Sequence, residues 1–113
     1  MYHLLKWGFA AALAAFGAYV LFNWDEVRDS VATWLRDNGL EKSALLEAWV
    51  LFERGVAAGR RVVSRLFVRT RKTGVVHVQE TTYDDPSRIE DPEVRAELAR
   101  RRQVRRDVMH LVA

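Results

Sequence analysis

From Leu4 to Phe22 the chain is apolar at nearly every position, with Lys6 as the one charged interruption. Nineteen residues at ~1.5 Å each span about 28 Å, close to the hydrocarbon thickness of a bilayer, so the run predicts a single N-terminal transmembrane helix. Trp7 and Trp24 stand at its two ends as interface anchors, Lys6 can extend outward along its methylene stem, and Asp25 and Glu26 stop the run. Within it Ala10, Ala14 and Ala18 recur every fourth residue beside Gly17, a small-residue face that lets another membrane helix approach closely. A cleaved signal peptide would need Ala15-Phe16-Gly17 as its processing site and would leave the bulky Tyr19–Phe22 on the mature end. A helix buried in a globular core would need more surrounding chain than the remainder supplies.

After the apolar run the pattern turns amphipathic. Asn23 to Glu26 has the form of a capping box, and Trp24, Val27, Val31, Trp34 and Leu35 fall on one helical face until Asp37-Asn38-Gly39 ends it. From about Glu41 the residues Leu45, Trp49, Phe52 and Val56 step by four, three and four, which predicts a second helix with a coiled-coil-like seam. A rival reading applies to residues 60–83. Arg61–Thr70 and Gly74–Tyr83 are rich in valine and flank a turn at Arg71–Gly74, the pattern of a β-hairpin that would need a partner surface to be stable. Asp84 to Asp91 reads as a linker, and Asp91-Pro92-Glu93 as the start of a basic helix reaching about Leu111. The expected fold is therefore mainly α: an anchor over residues 1–23, a small helical segment with a short β-hairpin over 24–83, and a linker with a C-terminal basic helix over 84–113.

Charge changes this picture through its placement. Residues 1–53 hold four Lys/Arg against seven Asp/Glu, and residues 54–72 hold seven Lys/Arg and no acid. Residues 73–93 hold Arg88 against six acids, and residues 94–113 six arginines against Glu97 and Asp107. Arg60, Arg61, Arg65, Arg69, Arg71 and Lys72, with Arg100, Arg101, Arg102, Arg105 and Arg106, form the candidate basic patch. Phosphate contacts need guanidinium groups along one face and stacking needs aromatic rings between them, but only Phe67 falls inside the first run. Arginines that pair with the acidic stretches of this or another protein chain are the plainer reading. Near the span Lys6 and the amino group balance Arg28 and Arg36, and the heavier basic load farther on tilts the tail toward the cytoplasmic side.

Candidate chemistry adds little. The absence of cysteine removes disulfides, thiolate nucleophiles and zinc-thiolate sites, and His3, His77 and His110 lack metal-ligand spacing. Ser30, Ser43, Ser64 and Ser87 lack a nucleophile-elbow context, and Asp84 with Asp85 reads as linker. No catalytic, cofactor-binding or metal residues are expected. The sequence points to a non-enzymatic, single-pass accessory subunit whose partners are membrane lipid and other protein subunits, in a homo- or hetero-oligomer. The alternative is a tethered module that holds nucleic acid or anionic lipid.

Overall fold

The computed structural model describes residues 14–15, 21–54 and 61–112. Its centre is a sheet of four antiparallel strands, β2 (Leu45–Arg54), β3 (Val62–Thr70), β4 (Gly74–Tyr83) and β5 (Gln103–Asp107), in the order β4-β3-β2-β5. A two-residue strand, β1 (Ala14–Ala15), lies parallel on the β4 edge, where Ala14 pairs with Glu80 and Ala15 with Thr81. Helices α1 (Trp24–Asp37), α2 (Pro92–Leu98) and α3 (Met109–Val112) cover one face.

Local chemistry explains the helix ends. The Asn23 side chain accepts the Glu26 amide at 3.0 Å and starts α1. At its other end the Gly39 amide donates to the Arg36 carbonyl and the Leu40 amide to the Leu35 carbonyl, a Schellman pattern. That pattern needs the positive φ of 67° that Gly39 adopts without a Cβ penalty. Between these ends Val27, Val31 and Leu35 form a stripe that packs onto the sheet's inner face, against a core that includes Val50, Phe52, Val68 and Ile89.

The strands owe their faces to two bulges. In β2 the pairing with β3 jumps from Leu45 to Glu47, so Leu46 is an extra residue and the inward set becomes Leu45, Ala48, Val50, Phe52. In β4 Leu66 pairs with Gln79 and Phe67 with His77, so Val78 is extra. Without that extra residue the period of two would carry His77 inward with Gln79, Thr81 and Tyr83; with it, His77 stands beside Phe67 on the outer face.

Several expectations fail here. The fold is not mainly α, because its largest element is the antiparallel sheet. Among the described residues no helix is long and apolar enough to cross a membrane, so the single-pass helix and its membrane localisation are not supported. Of the Leu4–Phe22 run, residues 4–13 and 16–20 lie outside the described residues, and what is described is not helical. Ala14–Ala15 is extended, and Phe22 bridges to Ile89, donating its amide to the Arg88 carbonyl and accepting from the Glu90 amide. Phe22 is 4% exposed because its ring meets Phe52, Trp24 and Tyr83, an apolar environment supplied by the domain itself.

The expected second helix is strand β2. Its seam of Leu45, Trp49 and Phe52 divides between the two faces, with Trp49 outward, and Val56 lies outside the described residues. The basic helix expected to reach Leu111 stops at Leu98, and Gln103–Asp107 becomes β5. The physical gain is edge satisfaction: β5 supplies the partners that the free side of β2 would otherwise lack.

Candidate functional site

No described element packs on the outer face of the sheet, and the register places four side-chain rows there. The central row runs Asp107, Trp49, Phe67, His77 across β5, β2, β3 and β4. Next to it runs Arg105, Leu51, Arg65, Glu80, and beyond that Gln103, Glu53, Val63, Thr82. On the other side lie Glu47, Arg69 and Val75.

The rings of the central row form a stack. Trp49 and Phe67 lie 5.4 Å apart at 16°, and Phe67 and His77 lie 5.1 Å apart at 30°. The Arg105 guanidinium sits 4.3 Å from the Trp49 ring centroid, a cation–π contact that extends the row to a fourth strand. Cross-strand aromatic contacts of this kind contribute about 0.5–1.5 kcal/mol each beyond burial.

The charges around this row neutralise one another. Arg65 donates from Nη1 to Glu53 at 2.7 Å and from Nε to Glu80 at 3.2 Å, and Arg69 donates to Glu47 at 3.0 Å. Hydrogen bonds from Arg65 and then Gln103 hold the Glu53 carboxyl below its ordinary range, against the opposing effect of burial. These pairs are half-exposed, so each contributes only modestly to stability.

His77 has a side chain only 10% exposed, and burial pushes its pKa below 6.5, an effect that the nearby Glu80 charge opposes and Arg65 reinforces. A depressed histidine pKa means that the unfolded chain takes up the proton first. Stability is then expected to fall as pH drops below about 6.5, through the window between the unfolded and folded values. Urea midpoints measured across that window should decline for the native chain, and His77→Gln should remove part of the slope.

The structure disperses the residues singled out in the sequence. Ala14 lies in β1, while Ala10, Gly17, Ala18 and Trp7 lie outside the described residues. Trp24 opens α1, and its indole donates to Asp91 at 2.9 Å. The described basic residues divide into four settings. Arg65, Arg69 and Arg105 stand on the outer face, Arg106 pairs with Glu97 of α2, and Arg71 and Lys72 form the β3–β4 turn. Arg61, Arg100, Arg101 and Arg102 gather at the opposite end of the sheet, where the Arg54 amide donates to the Arg102 carbonyl at 2.9 Å; Arg60 is outside the described residues.

The aromatic row itself was missed in the sequence. Its members are 18 and 10 residues apart along the chain, and nothing short of the bulged register aligns them.

Two concave features are lined by described residues. A cavity of about 30 Å³ under Ser64, Gln79, Thr81 and Tyr83 is large enough for a water molecule and too small for an organic ligand. Burial raises the Tyr83 pKa there, while bonds with Ser64 and Thr81 oppose the shift. The second is a cleft between α1 and α3. Among the described residues no group of three or more His, Asp or Glu side chains is arranged to hold a metal ion. No protein-family model, curated protein or solved structure matches the chain.

Proposed function

We propose that the chain is a non-enzymatic protein-binding module that docks another protein subunit on the outer face of its sheet. The observation that carries this reading is the Trp49–Phe67 stack, partly exposed on the face opposite the described helices and flanked by Arg65, Arg69 and Arg105, with the more buried His77 closing its end. Tryptophan and arginine are over-represented among residues that dominate protein interfaces, because they combine large apolar contact with a polar handle. A partner segment that lays apolar side chains along this row would meet Glu47 and Arg69 on one side and Glu53 on the other. The pairing of Arg65 and Arg69 with carboxylates favours a protein over a polyanion, since a phosphate would have to displace those carboxylates first.

Trp49→Ala tests the proposal. It removes a half-buried ring and is expected to cost about 1–2 kcal/mol in urea denaturation, leaving a folded domain. A photo-crosslinker at Leu51 in native extracts should give a discrete protein adduct that Trp49→Ala abolishes, whereas one at Ala32 on α1 should not give that adduct. A full-length protein that remains a partner-free monomer by native mass measurement, with no Leu51 adduct, would overturn the reading.

A second reading rests on a separate observation. At one end of the sheet Arg61, next to β3, and Arg100 to Arg102, next to β5, flank Arg54 of β2 from its two sides. That end suits the phosphates of a single-stranded nucleic acid. Binding of a fluorescent oligonucleotide should weaken steeply with salt, and Arg101→Glu with Arg102→Glu should reduce both the affinity and the salt slope. An unchanged slope would rule this out.

A further inference from the structure

The structure assigns a second binding site, distinct from the outer face: the cleft between α1 and α3 takes a small amphipathic anion, a carboxylate carried on an apolar body. The cleft has a volume of about 390 Å³, within the range of roughly 300–1,000 Å³ usual for small-molecule sites. Its floor is apolar and comes from three places in the chain: Ala32 and Leu35 of α1, Leu40 of the turn that follows it, and Leu111 and Val112 of α3. Leu35 and Val112 belong to the buried core, so the floor is held by the fold.

The rim decides the charge of the occupant. Arg28, Arg36 and Lys42 line the cleft with Asp29 as the only acid. Asp29 lies 3.5 Å from Arg28, which also faces Asp25 at 3.7 Å, so that arginine is compensated. Among the described residues Arg36 makes only a long contact with the Thr33 hydroxyl at 3.4 Å, and Lys42 makes no ion pair. The carbonyl end of α1 offsets part of the Arg36 charge, and Lys42 adds to what remains. An apolar floor below a net positive rim complements a carboxylate with a hydrocarbon tail and disfavours a cation with the same tail.

Matched probes with ten-carbon tails, decanoate and decyltrimethylammonium, test this on the full chain below their micellar concentrations. Decanoate should give saturable amide shifts centred on Ala32, Leu40 and Leu111, and should bind at least about tenfold tighter than the cation. Arg36→Glu with Lys42→Glu, both at the surface, should reverse that order in a domain that stays folded, with a small drop in melting midpoint from the anion placed at the carbonyl end of α1. Ala32→Trp projects a ring into the cleft from an exposed position and should abolish both probes. Equal binding of the two probes, or shifts spread over the outer face, would overturn the assignment, as would an Ala32→Trp variant that binds normally. A wild-type dimer that Ala32→Trp disperses, with no decanoate shifts, would give the cleft to a second copy and overturn it as well.

Discussion

Replacing Phe52 with alanine is expected to destabilise the domain by about 3–5 kcal/mol, the range for deleting a fully buried aromatic side chain. Phe52 is 0% exposed on the inner face of β2, opposite Ser64 of β3 and Val104 of β5. Its ring stands 4.9 Å from that of Phe22 and 6.1 Å from that of Trp24, both edge-on. One side chain thus joins the segment entering α1, the first turn of α1 and three strands of the sheet. Loss of the ring removes its own transfer free energy and leaves a cavity that rigid strand backbones close poorly. Small domains have about 5–15 kcal/mol in total, so the variant should unfold at much lower urea concentration. Phe52→Leu keeps most of the volume and should cost far less. A Phe52→Ala loss below about 1 kcal/mol would contradict the packing of Phe22 and Trp24 around this ring. Phe22→Ala is expected to follow the same trend, because Phe22 belongs to the same cluster.

Asp91→Ala is the second large effect, expected at about 2–4 kcal/mol, from about 1 kcal/mol for a lost helix cap and 1–3 for an indole left without its acceptor. Asp91 uses both carboxylate oxygens. Oδ1 accepts the Glu93 and Val94 amides at 2.8 and 3.2 Å, starting α2, and Oδ2 accepts the Trp24 indole at 2.9 Å. The residue therefore ties α1 to α2 as well as capping a helix. Burial pushes its pKa up, but the bonds from Trp24, Val94 and Glu93, with the Arg106 charge, outweigh this and hold the carboxyl below its ordinary value.

The sign of the pH dependence follows. A carboxyl with a depressed folded-state pKa stabilises the fold above its unfolded value near 3.9, and that stabilisation is lost as pH falls toward the folded value. Glu53 and Glu97 are held down by Arg65 and Arg106 and act in the same direction. Thermal midpoints should therefore fall in acid, and Asp91→Asn should start lower at neutral pH with a shallower acid limb. Parallel acid limbs would show that Asp91 does not titrate as its bonds imply.

Some elements were readable from local chemistry because short-range interactions set them. The capping residues Asn23 and Asp91 begin helices where their side chains meet amides two or three residues on. Gly74, with a φ of 70°, closes the β3–β4 turn, where Thr70 accepts the Lys72 and Thr73 amides. The Leu4–Phe22 run is different. Apolar composition states only that side chains leave water, and both a bilayer and a protein core satisfy that demand. Phe22 meets its demand through Phe52 and Tyr83, which lie 30 and 61 residues farther on.

The β2 strand misled for a related reason. It carries apolar residues on both faces, so Leu45, Trp49 and Phe52 read as one helical seam although Trp49 lies on the opposite face from the other two. The C-terminal segment offered a similar ambiguity. Val104, Val108 and Val112 are all buried at a spacing of four, yet they belong to a strand, the single residue that links it to the next helix, and that short helix.

By itself the sequence determined the start and stop of α1, the turn before Gly74, the start of α2, and the segregation of charge. Each of these depends on groups a few residues apart. The tertiary structure alone decided that β5 forms, that Trp49, Phe67 and His77 share a row, and that arginines from distant runs stand at the same end of the sheet. Those outcomes depend on strand register and edge pairing, which are set by burial of the whole inner face and cannot be assigned to any local stretch of chain.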